Sequence, residues 1–336
     1  MSVPSIAFFN NKGGVGKTSL VYHLAWMFAD LGVRALAADL DPQANLTAAL
    51  LHDDDVERLW TADAGVNTIY RSVEPLVRGL GDVTRPASIA VGDMLSLVPG
   101  DLALSRFEGP LAEAWPKCAD RDERALRVTS ALFRAVSMAA QQDQADIVLV
   151  DLGPNLGALN RSALLAAEYM VVPVAPDLYS LLGLRNLGPT IREWRDQWTI
   201  RREQANGLGI ELPVGRIRPL GYVVLQHAVR LDRPTRAYGR WLDRIPSEYS
   251  SSVLGENRED VPAVTADPHC LAMLKHYRSL MPMALESRKP VFHLKPADGA
   301  IGAHAAAVTA AYKDFERLAR VIACGVGVPI RNSLPK

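Results

Sequence analysis

The stretch of sequence that decides the fold is Asn10-Asn11-Lys12-Gly13-Gly14-Val15-Gly16-Lys17-Thr18-Ser19. A short apolar run, Ile6–Asn10, precedes it and favours a β-strand, and a segment with helical periodicity, Thr18–Leu31, follows. A glycine-rich turn between a strand and a helix lets successive backbone N–H groups point at phosphate oxygens, and the helix adds its positive end. The stretch is therefore predicted to be a phosphate-binding loop.

Two polar side chains of this loop suit a nucleoside triphosphate. Lys17 can reach the β- and γ-phosphates, and the hydroxyl of Thr18 can hold Mg²⁺. The ordinary pattern has glycine where this chain has Asn11, and Lys12 follows it. Two lysines are more cations than one triphosphate requires, so we expect Lys12 to serve a second nucleotide. The predicted nucleotide-binding residues of the loop are Lys12, Gly13, Gly14, Val15, Gly16, Lys17, Thr18 and Ser19.

Carboxylates follow two further predicted strands. The strand Arg34–Leu40 brings Asp39 and Asp41 to its carboxyl end, and the strand Asp146–Asp151 ends in Asp151. Ligands of doubly wound sheets bind at the carboxyl ends of the strands, and alternate residues of a strand share a face. A surface β-turn begun by Asp41-Pro42 is the local alternative. We favour a ligand site at this edge of the sheet, toward which Asp39, Asp41 and Asp151 can point.

Short apolar runs alternate with longer segments of helical period, which is typical of an α/β fold: a mostly parallel, doubly wound sheet with helices on both faces. We expect one domain, residues 1–325, with a loop insertion at about 199–218 and a C-terminal tail, 326–336. The acidic run at Asp53 is expected to be a solvated loop. The other predicted strands are Met94–Pro99, Tyr169–Ala175 and Leu220–Gln226, and the other predicted helices are Ala125–Gln142, Ala158–Ala167, Leu181–Trp198, Pro234–Arg244, Cys270–Met281 and Ala303–Ile322.

The loop and the first carboxylate motif together resemble one family. Lys12–Thr18, KGGVGKT, resembles the deviant Walker A motif of the ParA/MinD family of P-loop ATPases, and Asp39–Asn45, DLDPQAN, is similar to the D-x-D-P-Q-x-N motif of ParA proteins. The resemblance implies an ATPase with ATP and Mg²⁺ as cofactors, active as a homodimer in which Lys12 crosses to the partner's ATP. It also implies that Asp41 orients the attacking water and that Asp39 helps hold the hydration shell of Mg²⁺. The predicted metal-site residues are therefore Thr18, Asp39 and Asp151, and the predicted catalytic residues are Lys12, Lys17 and Asp41.

The resemblance is good over about residues 5–50 and 94–190 and weaker beyond. Asp151 is similar to the Walker B aspartate, but the family's D-x-P-P has Gly153 in place of its first proline, which implies a more mobile loop. Gln226 stands where many relatives use asparagine to read adenine. Pro282 and Met283 resemble the family's last nucleotide loop. We expect these three residues to contact the base.

Charge is concentrated in one block of the chain. Residues 185–244 contain 12 arginines against 6 acidic residues, although the whole chain balances at 37 basic and 37 acidic residues. Four arginines recur at helical spacing and could follow a phosphate backbone without reading bases: Arg233, Arg236, Arg240 and Arg244. A solvated helix face is the alternative reading.

Two functions fit the resemblance. One is a partition-type ATPase whose ATP-bound dimer holds DNA non-specifically until a ParB-like or other partner stimulates hydrolysis. The other is a positioning or regulatory switch that recruits proteins without binding DNA. No signal peptide, membrane span or basic amphipathic C-terminal helix is seen, so we expect a cytoplasmic protein without a membrane anchor, associated with the nucleoid if it binds DNA. The three cysteines, Cys118, Cys270 and Cys324, suggest neither disulfides nor a zinc site.

Overall fold

A mostly parallel sheet forms the centre of the chain in the computed structural model. The structure describes residues 3–61, 66–225, 236–257, 260–277 and 279–330, and for residues 236–238 the backbone alone. Within these residues the strands are β1 (Ser5–Phe8), β2 (Ala35–Asp39), β3 (Ile89–Gly92), β4 (Leu95–Val98), β5 (Ile147–Asp151), β6 (Tyr169–Val174), β7 (Arg218–Leu225) and β8 (Cys270–Leu274). Their order across the sheet is β3-β4-β2-β5-β1-β6-β7-β8.

All neighbouring strands are parallel except the edge pair β3 and β4, which is antiparallel. β2 and β5 are buried along their whole length, which is expected for parallel strands covered on both faces. Their register pairs Asp39 with Asp151, and Phe8 of β1 pairs with Asp151 on the other side. The predicted α/β, mostly parallel, doubly wound fold is confirmed, and three neighbouring strands end at one edge.

Helices cover both faces of the sheet. Among the described residues they are α1 (Lys17–Asp30), α2 (Asn45–Leu50), α3 (Asp53–Trp60), α4 (Ile69–Arg78), α5 (Glu108–Lys117), α6 (Glu123–Thr129), α7 (Ala131–Gln142), α8 (Ala158–Ala166), α9 (Leu178–Gln204), α10 (Arg236–Leu242), α11 (Ile245–Glu248), α12 (Leu280–Ser287) and α13 (Ala303–Val326). α1 and α13 pack in the core on one face, whereas α4 to α9 pack in the core on the other. A π-helical turn, Tyr249–Leu254, packs on α9.

Two sequence predictions are wrong in their element type. Cys270–Met281 was expected to be helical, but its first part is β8, which pairs with β7, and α12 begins only at Leu280. The backbone pairing offered by β7 overrides the helical preference of Leu, Ala and Met in this run. Asp53 was expected in a loop and instead begins α3, whose first turn contains three aspartates. Acidic groups are favourable there because the helix N-terminus carries partial positive charge.

Other elements differ from prediction in their bounds. The expected loop at 199–218 is shorter, since α9 continues to Gln204 and β7 begins at Arg218. Trp198 is fully buried and its indole N–H donates to the carbonyl of Pro213 at 2.9 Å, so the loop packs back on the helix. The single helix predicted for Ala125–Gln142 breaks at Ser130 into α6 and α7. The domain bounds 1–325 and 326–336 stay predictions.

The helix that follows the phosphate-binding loop is tied to the C-terminal part of the chain. On α1, His23 is buried, its Nδ1 lies 2.6 Å from the carbonyl of Ser19, and the amide of Val291 donates to its Nε2 at 3.2 Å. The ring also stacks on Phe315 of α13, with centroids 4.9 Å apart. Burial lowers the pKa of His23 to about 4. A neutral imidazole therefore joins α1 to α13.

None of the helices in the described parts of the chain is both long enough and apolar enough to cross a bilayer.

Candidate nucleotide site

The loop between β1 and α1 has the backbone of a phosphate cradle. Gly14 and Gly16 have φ of +69° and +90°, a region that residues with a Cβ rarely adopt. Lys17 is buried at 7% exposure, and its Nζ donates to the carbonyls of Asn10 at 3.2 Å and Lys12 at 3.3 Å. Burial lowers the pKa of Lys17, opposed by the carboxylates of Asp151 and then Asp41. The ammonium is therefore held inside the loop.

Lys12 is directed to a carboxylate of its own chain. Its Nζ forms an ion pair with Asp177, the N-cap residue of α9, and both side chains are about one third exposed, at 28% and 34%. The loop backbone is fixed beside it, because the amide of Lys12 donates to Asn10 Oδ1 at 2.9 Å and Asn10 Nδ2 donates to the carbonyl of Pro173 at 2.7 Å. Lys12 thus lies at the surface of the site with one partner that solvent can also reach.

Asp39, at the end of β2, is enclosed in a hydrogen-bonded network. One carboxylate oxygen accepts from the amide and hydroxyl of Thr47 at 2.8 and 2.7 Å, and the other accepts from the amide of Asp41 at 3.3 Å. The amide of Gly100 in turn donates to the Thr47 hydroxyl at 2.8 Å, and a Cβ at Gly100 would lie 2.9 Å from the carboxylate. Burial raises the pKa of Asp39 to about 6, although the bonds from Thr47 oppose the rise.

Asp151, at the end of β5, is as deeply buried but has no such network. Neither carboxylate oxygen accepts a well-formed hydrogen bond from the described residues, although the Thr18 hydroxyl lies near enough to favour the charged form. Burial and then the nearby charge of Asp39 raise its pKa, whereas Thr18 and Lys17 oppose the rise. An unsatisfied buried carboxylate is costly unless something binds it. A hard cation is the natural partner, since Mg²⁺ takes oxygen ligands.

The protein alone would not complete such a cation site. In the described part of the chain no three His, Cys, Asp or Glu side chains converge closely enough to hold a metal. Mg²⁺ usually keeps several waters and is held by one or two carboxylates together with substrate phosphates. Asp151 and the Thr18 hydroxyl therefore fit a cation that arrives with a nucleotide.

Asp41 lies two residues beyond β2 and faces the loop that follows β5. It is 6% exposed, and its Oδ1 accepts from the amide of Gln43 at 3.0 Å. A Cβ added at Gly153 would lie 3.2 Å from the same Oδ1. Because Gly153 has no side chain, the Asp41 carboxylate can occupy the space beside it.

A cavity of about 150 Å³ adjoins the loop and has the apolar walls suited to a base. Its lining includes Gly16 and Ser19 on one side, and Leu225, Tyr277 and Met281 on the other. Of the residues predicted to contact the base, Gln226 lies outside the described residues, and Pro282 and Met283 lie on α12 without lining this cavity.

Sequence reasoning missed the residues that follow β8. Lys275, His276 and Tyr277 line the cavity together with Leu274. They leave the carboxyl end of a parallel strand, which is the signal for a ligand site in such a sheet. The signal was hidden because the strand had been predicted as a helix.

The arginine stripe is described only in part. Arg233 lies outside the described residues, and the side chain of Arg236 is likewise not described. Arg240 and Arg244 are exposed, and their guanidinium groups lie 4.6 and 5.3 Å from the ring centroid of Trp241. These two cations thus share one aromatic surface near the end of α10.

Comparison with known proteins supports the family resemblance. The family model described as AAA domain matches residues 3–203, more than half of the chain. The chromosome-partitioning ATPase Soj of Thermus thermophilus is 35% identical over 195 residues, which cover 57% of this chain and 63% of Soj. The matched segments cover between 42% and 67% of the length of the curated relatives.

Solved structures agree with the fold. A protein from Corynebacterium diphtheriae superposes with a TM-score of 0.71 at 22% identity, covering 96% of this chain and 98% of that one. McdA of Cyanothece, solved as an ATP complex, gives a TM-score of 0.63 at 15% identity and covers 100% and 99%. The deviant phosphate loop, the carboxylates at the ends of neighbouring strands and the match over residues 3–203 lead to one conclusion: the chain belongs to the AAA domain family and is of the ParA type, to which the ATPase Soj is similar.

Proposed function

We propose that this chain is an ATP-hydrolysing switch that dimerises when it binds ATP and Mg²⁺ and that, as a dimer, holds DNA. One observation carries the proposal: the buried carboxylate of Asp151, which accepts no well-formed hydrogen bond from the described residues, lies close to Lys17 in a phosphate cradle. The site thus contains one anionic and one cationic side chain, which together suit a ligand that carries both positive and negative charge. A magnesium nucleotide is such a ligand.

The role of each side chain in the proposed reaction follows from its position in the site. Lys17 would bind the β- and γ-phosphates, and Thr18 with Asp151 would hold a Mg²⁺ ion, which would supply positive charge against the phosphates. Asp41 accepts a hydrogen bond from a water and orients it toward the γ-phosphorus. The water oxygen forms the new bond to phosphorus, the bond to the β–γ bridging oxygen breaks, and ADP and phosphate result.

Lys12 couples the nucleotide to a second copy of the chain. A loop that already contains Lys17 and a helix N-terminus does not need a further cation for its own phosphates. The ion pair with Asp177 is about one third exposed, so its exchange for another anion costs little. Exposed apolar residues continue the same surface at the start of α9, namely Leu178, Tyr179 and Leu182. They suit a face that a second subunit covers.

Sedimentation in saturating ATP and Mg²⁺ tests this proposal. Asp41→Ala should sediment as a dimer because it binds ATP but hydrolyses it slowly. Adding Lys12→Ala should give a monomer that keeps its ATP affinity, whereas adding Lys17→Ala should give a monomer whose ATP affinity falls about a hundredfold or more. Lys313→Ala, an exposed lysine of α13, is the matched control and should leave the dimer intact. A dimer that persists without Lys12 would refute the cross-subunit role.

DNA is the macromolecule that the arginine block supports, with Arg240 and Arg244 exposed beside Trp241. The alternative, a switch that recruits proteins without DNA, predicts no retention on random duplex. ATP-dependent retention that weakens steeply with salt would favour DNA, and its absence would favour the alternative.

A further inference from the structure

The loop that follows β5 is held by one buried side chain of α8. Asn160 is fully buried, and its Nδ2 donates to the carbonyl of Gly153 at 2.9 Å and to the carbonyl and Oδ1 of Asn155 at 2.6 and 3.1 Å. These bonds reach two residues, Gly153 and Asn155, of the loop between β5 and α8. The glycine in place of proline predicted a mobile loop. The hydrogen bonds from Asn160 instead hold this loop against α8.

The helix that carries Asn160 is itself fixed. The carboxylate of Glu108, at the start of α5, accepts from the amides of Ala158 at 2.6 Å and Leu159 at 2.8 Å, two of the donors that a helix N-terminus leaves free. A Cβ at Gly157 would lie 2.5 Å from the Glu108 carboxylate, so glycine is required for this approach. Asn160 thus projects from a rigid support.

The front of the same loop touches Asp41. Gly153 lies against the Asp41 carboxylate, and a side chain at this position would need Asp41 to shift by a few tenths of an ångström. The carbonyl of this glycine is the group that Asn160 holds at 2.9 Å. The contacts are therefore continuous. Helix α8 carries Asn160, the Asn160 amide holds the Gly153 backbone, and Gly153 lies against the Asp41 carboxylate.

We propose that Asn160 is a positioning residue for hydrolysis, which holds the Gly153 backbone against Asp41 and so replaces the rigidity that proline would supply. The inference rests on the proposed function, because it assigns Asp41 the role of orienting water. Its chemistry is indirect: Asn160 touches neither nucleotide nor water and acts only through the loop.

The energetic cost of burying the Asn160 side chain indicates that it does not serve stability alone. Asn160 Oδ1 is buried without a hydrogen-bond partner among the described residues, which is unfavourable in a fully buried position. Local violations of this kind concentrate at functional sites. Replacing Asn160 should therefore impair turnover more than it impairs folding.

The test compares Asn160→Ala with Ser162→Ala on the same helix. Ser162 is also buried, and its hydroxyl donates to the carbonyl of Thr129 at 2.8 Å, away from the loop. We expect Asn160→Ala to lower kcat between about tenfold and a hundredfold, as misplacement of a catalytic group does, with KM for ATP changed less than about twofold. Hydrogen exchange at residues 153–157 should be faster in this variant, whereas Ser162→Ala should match the wild type in all three measurements.

A second variant keeps the proposal falsifiable if Asn160→Ala does not fold. Gly153→Ala crowds Asp41 from the loop side and should also lower kcat at unchanged KM. Wild-type kcat in Asn160→Ala, or in Gly153→Ala where the first variant is unfolded, would overturn the proposal. A wild type that does not hydrolyse ATP at all would instead overturn the proposed function, and unchanged exchange in the loop would separately refute the support by Asn160.

Discussion

Asp39 and Asp151 end neighbouring strands, are paired in register and are both fully buried, yet their surroundings are opposite. Asp39 accepts three hydrogen bonds, two from Thr47 and one from the backbone of Asp41. Asp151 accepts no well-formed hydrogen bond from the part of the chain that the structure describes. One carboxylate is therefore satisfied by the fold, and the other is left for a ligand.

This difference separates two roles that the sequence had joined. Both aspartates were predicted to serve Mg²⁺: Asp151 as a Walker B aspartate and Asp39 through the hydration shell of the ion. A carboxylate that already accepts from Thr47 and supports the turn after β2 is better understood as a structural group that organises Asp41. The unpaired carboxylate remains the better candidate for the cation.

Asp151→Asn should give the largest effect. The amide keeps the size of the side chain but removes the charge that a cation needs, so Mg²⁺-dependent ATP turnover should fall about a hundredfold or more. The apo protein should become more stable by about 1–3 kcal/mol, since the cost of burying the Asp151 carboxylate outweighs its attraction to Lys17 and Thr18. Activity assays and denaturant unfolding measure the two effects. Asp146→Asn, an exposed carboxylate before the same strand, is the control and should change neither.

Thr47→Val should show the reverse pattern with a smaller effect. The variant keeps the shape of the side chain, deletes the hydroxyl that binds Asp39, and leaves the amide of Gly100 without its acceptor. We expect a loss of about 1–3 kcal/mol in the free energy of unfolding, with Mg²⁺ dependence of ATP binding unchanged. Thr309→Val on the exposed face of α13 is the control. A weakened Mg²⁺ dependence in Thr47→Val would mean that Asp39 also serves the cation.

The smallest effect concerns pH. The folded pKa of Asp39, about 6, is raised above the ordinary value of 3.8, so this group contributes stability below about pH 4 that is lost as the pH rises through 6. Asp39→Asn does not titrate there. The unfolding free energy of the wild type should fall relative to the variant by about 1–2 kcal/mol between pH 4 and pH 7. His23 has the opposite slope but is present in both proteins, and making the comparison in an Asp151→Asn background removes the coupled titration of Asp151. A difference that is constant with pH would contradict the raised pKa.

The sequence sufficed for the elements that carry their own signal. The loop at residues 10–19 and the strands that end in Asp39 and Asp151 were predicted to within about two residues, since strand, glycine turn and helix follow one another locally. β8 was missed because its strand character comes from pairing with β7 rather than from its own residues. A local sequence pattern predicts only local structure, and pairing with a neighbouring strand can override that local preference.

The roles of the predicted site residues stay predictions, and the contacts between these residues could not be derived from the sequence. Nothing in the spacing of Lys12 indicates that Asp177, 165 residues away, would take its charge. The same holds for Thr47 on Asp39 and for Asn160 on Gly153, whose bonds depend on how helices dock on the sheet. Residue types and strand ends locate a site, whereas packing decides which carboxylate is free.

The hydrogen bond from the Val291 amide fixes the tautomer of the His23 ring, so the ring nitrogens can report on their surroundings by NMR. Because the Val291 amide donates to Nε2, the imidazole proton must sit on Nδ1, where it points at the Ser19 carbonyl. Ser19 begins the first turn after the phosphate cradle, so a nucleotide that tightens this turn would alter the nitrogen resonance of a single shielded ring. Occupancy of the cradle could then be followed in ¹⁵N spectra without labelling the nucleotide or altering any residue that touches it.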